Sequence, residues 1–178
     1  MTAARTLLLT VGHGAAGQEE FRQLLQAAQV AAVVDVRIGP GSRKHPHFGK
    51  ASLEQWLPEA GIGYRWEQRL GGFRKLPADS PDTALRNESF RAYAAHMRSA
   101  EFIEALNGVL AQAAARRTAI MCSETVWWRC HRRLIADHAV LLDGVDVGHL
   151  MPPGRITEHK PTDGVRAAGG QLFYDVVP

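Results

Sequence analysis

Residues that could carry chemistry are concentrated between positions 122 and 132. Cys122 and Glu124 follow a short apolar run, and Cys130, His131 and Arg132 come shortly after them. Thiols, carboxylates and imidazoles act as nucleophiles or as general acids and bases, and a guanidinium can bind two anionic oxygens at once. We therefore expect any chemistry to lie where Cys122-Ser-Glu124 ends a buried strand and Cys130 opens the next helix.

Polar residues also follow three other predicted strands, at the point where each strand ends. Ligands of open α/β sheets bind outside the carboxyl ends of the strands, which meet at one edge. The convergence of polar residues on this edge predicts a pocket. These further candidates are His13 after the first strand, Asp35 and Arg37 at the end of the second, Ser42 and Arg43 in the loop that follows, and Gly71 and Gly72 after the third.

Each candidate also has a structural interpretation. His13 between two glycines is typical of a turn residue. Asp35 can serve only to pair with Arg37, because a buried carboxylate needs a partner. The basic loop that contains Ser42 and Arg43 can be simply solvated, although arginine and backbone N–H groups also suit a phosphate or carboxylate. The glycine pair after the third strand is typical of either a turn or a close approach to a ligand.

The two cysteines support different interpretations. Cys122 ends a buried strand, where cysteine usually packs as a small hydrophobic residue. Cys130, which we place in the first turns of a helix and beside basic residues, has surroundings that favour a thiolate. It also belongs to an apolar stripe at helical spacing, which favours a structural role. His131 would point about 100° away from Cys130 on that helix. In a reducing compartment we expect no disulfide between the cysteines.

No metal ion or other cofactor is expected. Cysteine, histidine and glutamate are the right ligand types for zinc, but their spacing matches no Cys-x-x-Cys or His-Glu-x-x-His pattern, so a zinc site is not favoured. Trp127 and Trp128 could stack on a ring or base, and core packing of at least one is the favoured alternative.

The elements that would position these residues alternate along the chain, as in a parallel sheet covered by helices. We predict a single three-layer α/β domain over residues 1–151, Rossmann-like or flavodoxin-like, with a mostly parallel central sheet of about five strands and helices on both faces. Residues 152–178 are expected to form a tail packed on this domain, with 172–176 as an edge strand. The predicted strands span residues 6–11, 31–36, 62–66, 118–122 and 145–151, and the predicted helices include those capped by Asn87 and Ser99 and one over 126–142.

Length and composition narrow the class of protein. With 178 residues, 46% of them hydrophobic, the chain can bury one ordinary core. Its apolar runs are too short to cross a bilayer and no signal peptide is evident, so we expect a cytoplasmic protein without membrane partners. A net charge of +3 permits an anionic small molecule or nucleic acid as partner without requiring one. The sequence leaves the oligomeric state open.

Taken in order, short motifs over roughly residues 6–151 resemble one known family, the domain-of-unknown-function family DUF488. The resemblance implies one α/β domain with a common pocket, and it places both cysteines and Glu124 in the most recognisable block of the family. It implies no reaction. The chain has Gly49 where asparagine is expected and Ser123 where alanine is common, and neither removes a reactive group. The motifs are Thr10-Val-Gly-His13, Val34-Asp-Val-Arg37, Pro40 with Ser42-Arg43, Leu70-Gly-Gly72, and Met121-Cys-x-Glu124 with Cys130-His-Arg132.

Three hypotheses follow for the function. The first is a small enzyme, a hydrolase or transferase, acting on a phosphate-containing, nucleotide or nucleic-acid substrate. Glu124 or His13 would be the general acid or base, with Glu124 as nucleophile the alternative, and Asp35 would orient Arg37 or His13. Arg37, Arg43 and Arg132 would hold anionic oxygens. The second is a non-catalytic module that binds nucleic acid or an anionic ligand. The third is a thiol or redox function of Cys130, with His131 beside it.

Overall fold

The computed structural model describes residues 3–177, and at its centre five parallel strands are extended by one antiparallel strand. All five predicted strands are confirmed, with ends that differ by at most one residue. The strands of this sheet are β1 (Leu7–Gly12), β2 (Ala32–Asp35), β3 (Gly63–Trp66), β4 (Thr118–Cys122), β5 (Asp146–Met151) and β6 (Arg155–Glu158). Their order across the sheet is β3-β2-β4-β1-β5-β6.

Helices cover both faces of the sheet, which confirms the three-layer α/β fold. One apolar cluster joins the first two helices to the sheet, and a second joins the other three to its opposite face. Asn87 and Ser99 cap the third and fourth helices as predicted, because their side-chain oxygens accept backbone N–H groups of the first turn. The helices are α1 (Gln18–Ala27), α2 (Lys50–Glu59), α3 (Glu88–His96), α4 (Ala100–Ala115) and α5 (Arg132–Leu141).

The position of β4 between β1 and β2 brings three strand ends side by side. Gly12 lies opposite Cys122, and Asp35 lies opposite Met121. The pairing continues past β1, where the N–H of His13 donates to the carbonyl of Cys122 at 3.0 Å. The loops after β1 and β2 therefore flank the end of β4 on its two sides.

The segment after β4 differs from the single helix predicted over 126–142. Trp127–Arg129 form one 3₁₀ turn, Cys130 is extended at φ −134° and ψ 170°, and α5 begins only at Arg132. The N–H of Arg132 donates to the sulfur of Cys130 at 3.3 Å, a bond that this break in the helix makes available. Cys130 thus precedes the helix and does not lie in its first turns.

The C-terminal segment also differs from the prediction. The C-terminal segment adds β6 as the edge strand beside β5, whereas the residues predicted for that role form β8 (Gln171–Tyr174), which pairs with β7 (Val165–Ala168) in a separate two-stranded sheet. Two buried carboxylates fix this hairpin, since the backbone N–H of Tyr174 donates to Asp82 at 3.0 Å and its hydroxyl donates to Asp137 at 2.9 Å. Within residues 3–177, no helix is long and apolar enough to cross a membrane.

A buried ion pair under the hairpin gives a test of this packing. Arg98 donates to the fully buried carboxylate of Asp82 at 2.7 Å, so Arg98→Ala leaves that charge without its cation. We expect the free energy of unfolding to fall by about 3 kcal/mol in urea titrations. Arg166→Ala, which breaks the exposed pair with Asp175, should cost far less. Equal losses in the two variants would contradict the packing described.

Candidate active site

A pocket of about 590 Å³ opens at the carboxyl edge of the sheet, beside the ends of β1, β2 and β4. A cavity of this size suits a small molecule. Among the residues predicted from the sequence, those that line it are His13, Arg37, Ser42, Arg43, Gly72, Cys122, Glu124, Cys130 and His131. Asp35, Gly71 and Arg132 do not line it and are buried behind its walls.

Cys122 and Cys130 lie side by side on the inner wall of the pocket. Both are free thiols, and their sulfur atoms are 3.2 Å apart. The Nε–H of Arg132 points between them, at 2.9 Å from the sulfur of Cys122 and 3.2 Å from that of Cys130. One guanidinium therefore bridges two thiols that are already in contact.

The surroundings divide the two sulfurs into a thiolate and a thiol. Burial alone would raise the pKa of Cys130, but the hydrogen bond from Cys122, the charge of Arg132 and the backbone N–H of Arg132 lower it, to about 5. Burial and the hydrogen bond to Cys130 raise the pKa of Cys122 well above its usual range. The thiolate of Cys130 is thus the nucleophilic form, and the thiol of Cys122 is its hydrogen-bond donor.

Arg132 does not take the role of binding substrate oxygens that the sequence suggests. Its side chain is fully buried, and protein groups occupy its donors. Besides the two sulfurs, it donates to the Thr10 hydroxyl at 2.9 Å and to the backbone carbonyl of Glu124. The guanidinium therefore acts on the cysteines from behind the pocket wall.

Gly12 belongs to the site, although it is not among the candidate residues predicted from the sequence. A Cβ atom there would overlap the carbonyl oxygen of Glu124 and lie 2.8 Å from the guanidinium of Arg132. Only glycine leaves room for these two groups to meet behind the end of β1. The Gly12-His-Gly14 sequence directly after a buried strand is the signal that could have indicated this close approach.

His13 and Arg37 line the pocket beyond the ends of β1 and β2. Two parallel hydrogen bonds of 2.8 and 2.7 Å join Arg37 to the buried carboxylate of Asp35, which also accepts from the Tyr64 hydroxyl at 2.6 Å. Burial lowers the pKa of His13 to about 4, so its imidazole is neutral near pH 7. Because Nδ1 donates to the Gly14 carbonyl, Nε2 is the acceptor that faces Arg37 at 3.4 Å.

His131 and Gly72 close the side of the pocket between β2 and α3, with Gly71 buried behind them. Nε2 of His131 donates to the Val36 carbonyl at 2.7 Å, which leaves Nδ1 as an acceptor next to Gly72. Burial lowers the pKa of His131, so its imidazole does not supply positive charge at neutral pH. Gly71 contacts backbone, since a Cβ atom there would lie 2.7 Å from Cα of Ile38.

The mouth of the pocket carries an excess of positive charge. Arg43 and Lys44 are exposed in the loop after β2, and Arg129 is exposed before Cys130. The Ser42 hydroxyl accepts the N–H of His45 at 2.9 Å and so shapes this basic loop. A cluster of exposed cations around a cavity attracts anions and raises their local concentration.

Glu124 lies at the mouth and not beside the sulfurs. Its side chain is exposed, and its carboxylate accepts the backbone N–H of Val126 at 3.2 Å. Its backbone carbonyl, and not its carboxylate, contacts Arg132. From the sequence, Glu124 is expected to lie at the centre of the site with arginines around it. In the structure, the two thiols lie there beside Arg132. In the described part of the chain, no three His, Cys, Asp or Glu side chains gather as metal ligands would.

Comparison with known proteins gives one match. A family model described as Domain of unknown function DUF488 matches residues 17–139, which include both cysteines, Arg37 and Arg132. His13 and the C-terminal segment lie outside the matched range. No curated protein and no solved structure matches the chain.

The pKa values of the two thiols predict selective modification. With the pKa of Cys130 lowered to about 5, its thiolate persists above that pH and is lost as the pH falls through it. Iodoacetamide at about pH 7 should therefore label Cys130 and leave Cys122 unlabelled, as read by peptide mass spectrometry. Cys130→Ser should abolish the labelling. Labelling of Cys130 only above about pH 8, as for an ordinary thiol, would contradict the assignment.

Proposed function

The chain belongs to the DUF488 family, and because the description of that family names no reaction, we propose a function from the geometry of the pocket. We propose a dithiol-dependent oxidoreductase that acts on a small anionic substrate. The observation that carries the proposal is the guanidinium of Arg132 placed between two free sulfurs 3.2 Å apart, in a pocket with a basic mouth.

The second thiol distinguishes this proposal from simple nucleophilic catalysis. The thiolate of Cys130 attacks one sulfur of a substrate disulfide, the substrate S–S bond breaks, and one half leaves as a thiolate. The sulfur of Cys122 then attacks the sulfur of Cys130, and the second half leaves and takes up the proton of Cys122. The substrate gains two electrons, and the protein ends with a Cys122–Cys130 disulfide.

The surroundings of the pocket indicate the class of substrate and the return step. Arg43, Lys44 and Arg129 favour a substrate with carboxylate, sulfonate or phosphate groups. An external thiol reduces the protein disulfide, and a reducing compartment such as the cytoplasm would supply it. The cycle needs no metal ion or other cofactor.

A second candidate rests on Glu124. Of the described residues that line the pocket, it alone carries a carboxylate, and Arg43, Lys44 and Arg129 line the same pocket. This arrangement also suits a hydrolase or transferase that acts on a phosphate-containing substrate, with Glu124 as general acid or base. Loss of phosphate-ester turnover in Glu124→Gln, with Cys122→Ser fully active, would favour this candidate over the dithiol enzyme. Salt-sensitive nucleic-acid binding without turnover would favour the non-catalytic module.

An anionic aromatic disulfide, dithiobis(nitrobenzoate), tests the dithiol proposal because each released thiolate is coloured. Wild-type protein should release both halves of each reagent and become an intramolecular disulfide. Cys122→Ser should release one half and keep the other, visible as an adduct on Cys130 in the intact mass. An adduct that persists equally in the wild-type protein would contradict the resolving role of Cys122.

The basic mouth is tested in the same assay. The double variant Arg43→Ala/Lys44→Ala should react more slowly with the anionic disulfide, by roughly tenfold at low salt. Its rate with cystamine, a cationic disulfide, should not fall. Equal slowing with both reagents would show that the loop acts on the fold of the pocket and not through charge.

A further inference from the structure

A continuous chain of buried polar side chains runs from Arg132 across β1 and β5 to α5. Arg132 contacts the Thr10 hydroxyl at 2.9 Å, which lies 2.6 Å from Nδ1 of His149. Nε2 of His149 is 2.9 Å from Nδ1 of His159, whose Nε2 is 2.7 Å from the carboxylate of Asp137. All five side chains are buried. Nothing in the proposed thiol chemistry uses the last three.

The two ends of the chain fix the direction of the hydrogen bonds that they make. Arginine can only donate, so the Thr10 oxygen accepts from Arg132, and the Thr10 hydroxyl can donate its own proton to Nδ1 of His149. A carboxylate can only accept, so His159 donates to Asp137 through Nε2. When Nδ1 of His159 is the acceptor of its bond with His149, His149 carries its proton on Nε2, and all the bonds run from the cation towards the anion.

The surroundings hold this arrangement. Trp127 stacks on the ring of His149 with centroids 4.0 Å apart and planes 1° from parallel. Burial, with the nearby His159 and Arg132, lowers the pKa of His149 to about 2. The backbone N–H of Thr162 and the hydroxyl of Tyr174 also donate to Asp137, at 3.0 and 2.9 Å, which keeps it an acceptor.

We propose that Thr10, His149, His159 and Asp137 are positioning residues that hold the guanidinium of Arg132 against the two sulfurs. This inference rests on the proposed thiol function and extends it to the C-terminal segment. His149 and His159 lie beyond residues 17–139, so a part of the chain outside the family match supports the reactive centre. None of these four residues touches the pocket.

Arg132 is the group through which the chain can act on Cys130. The ionisable groups that face Cys130 are Cys122 from β4, Tyr93 from α3, and His131 and Arg132 at the start of α5. Of these, Arg132 alone carries a permanent charge; His131 also lowers the pKa of Cys130, but burial lowers its own pKa. A guanidinium that loses its Thr10 acceptor must shift towards another, because an unpaired buried N–H is costly.

The pH dependence of the iodoacetamide rate at Cys130 tests the proposal. Thr10→Val keeps the shape of the side chain but removes the acceptor, and should raise the pKa of Cys130 by about one unit, so that the rate at low pH falls roughly tenfold. Thr10→Ser restores a hydroxyl and should restore the wild-type profile. At high pH, where the thiol is fully ionised, the Thr10→Val and wild-type rates should converge.

A remote variant keeps the test independent of Thr10. His159→Phe leaves Nε2–H of His149 without an acceptor, which favours the other tautomer, in which His149 competes with Arg132 for the Thr10 oxygen. The pKa of Cys130 should rise again, by less than in Thr10→Val. Arg98→Ala is the matched control, because it also deprives a buried carboxylate under the C-terminal hairpin of a donor, but Asp82 lies outside the chain from Arg132 to Asp137 and meets it only through Tyr174. Its profile should match that of the wild type.

The outcomes separate the two proposals. A wild-type pKa of an ordinary thiol would remove the proposed thiol function itself. A low wild-type pKa that stays unchanged in both Thr10→Val and His159→Phe would overturn the positioning role alone. If Thr10→Val does not fold, His159→Phe against Arg98→Ala decides the question, and equal shifts in those two variants would also overturn it.

Discussion

A buried cation without a carboxylate partner is the constraint on which the rest of the site depends. Arg132 is fully buried, and among the described residues its contacts are two sulfurs, a hydroxyl and backbone carbonyls. Burying an uncompensated charge is costly, so the environment favours a negative charge within reach of the guanidinium. Both sulfurs contact the guanidinium, and Cys130, whose pKa is lowered to about 5, is the one that supplies it. The thiolate is thus a consequence of how Arg132 is buried.

The fold meets this constraint through the order of its strands. Because β4 lies between β1 and β2, Cys122 ends its strand at the edge of the sheet between the strand that leads to His13 and the strand that leads to Arg37. Gly12 leaves the space in which Arg132 reaches the Glu124 carbonyl. The break before α5 then turns Cys130 back towards Cys122. The strand order, Gly12 and the break before α5 are separate along the chain, and all three contribute to the contact between Arg132 and the two sulfurs.

The sequence predicts the strands, the two capped helices and the edge of the sheet at which polar residues meet, because periodicity and capping are local properties. It does not predict which of those residues contact one another. Arg132 is predicted to bind anionic oxygens, yet it is buried, and Glu124 is predicted to act among converging arginines, yet its side chain is exposed and only its backbone carbonyl contacts Arg132. His149 and His159 are separated from Arg132 along the chain, and only the pairing of β1, β5 and β6 brings them into line. Contacts between residues so far apart in the chain produce no periodic pattern in the sequence from which they could be predicted.

The central claim, that one thiolate is stabilised beside Arg132, is tested most directly by the ultraviolet absorbance of thiolates in a pH titration of the reduced protein. We expect a step of one thiolate centred near pH 5 that is present in the wild-type protein and absent from Cys130→Ser. A titration in which thiolate absorbance appears only above about pH 8, as for ordinary cysteines, would contradict it.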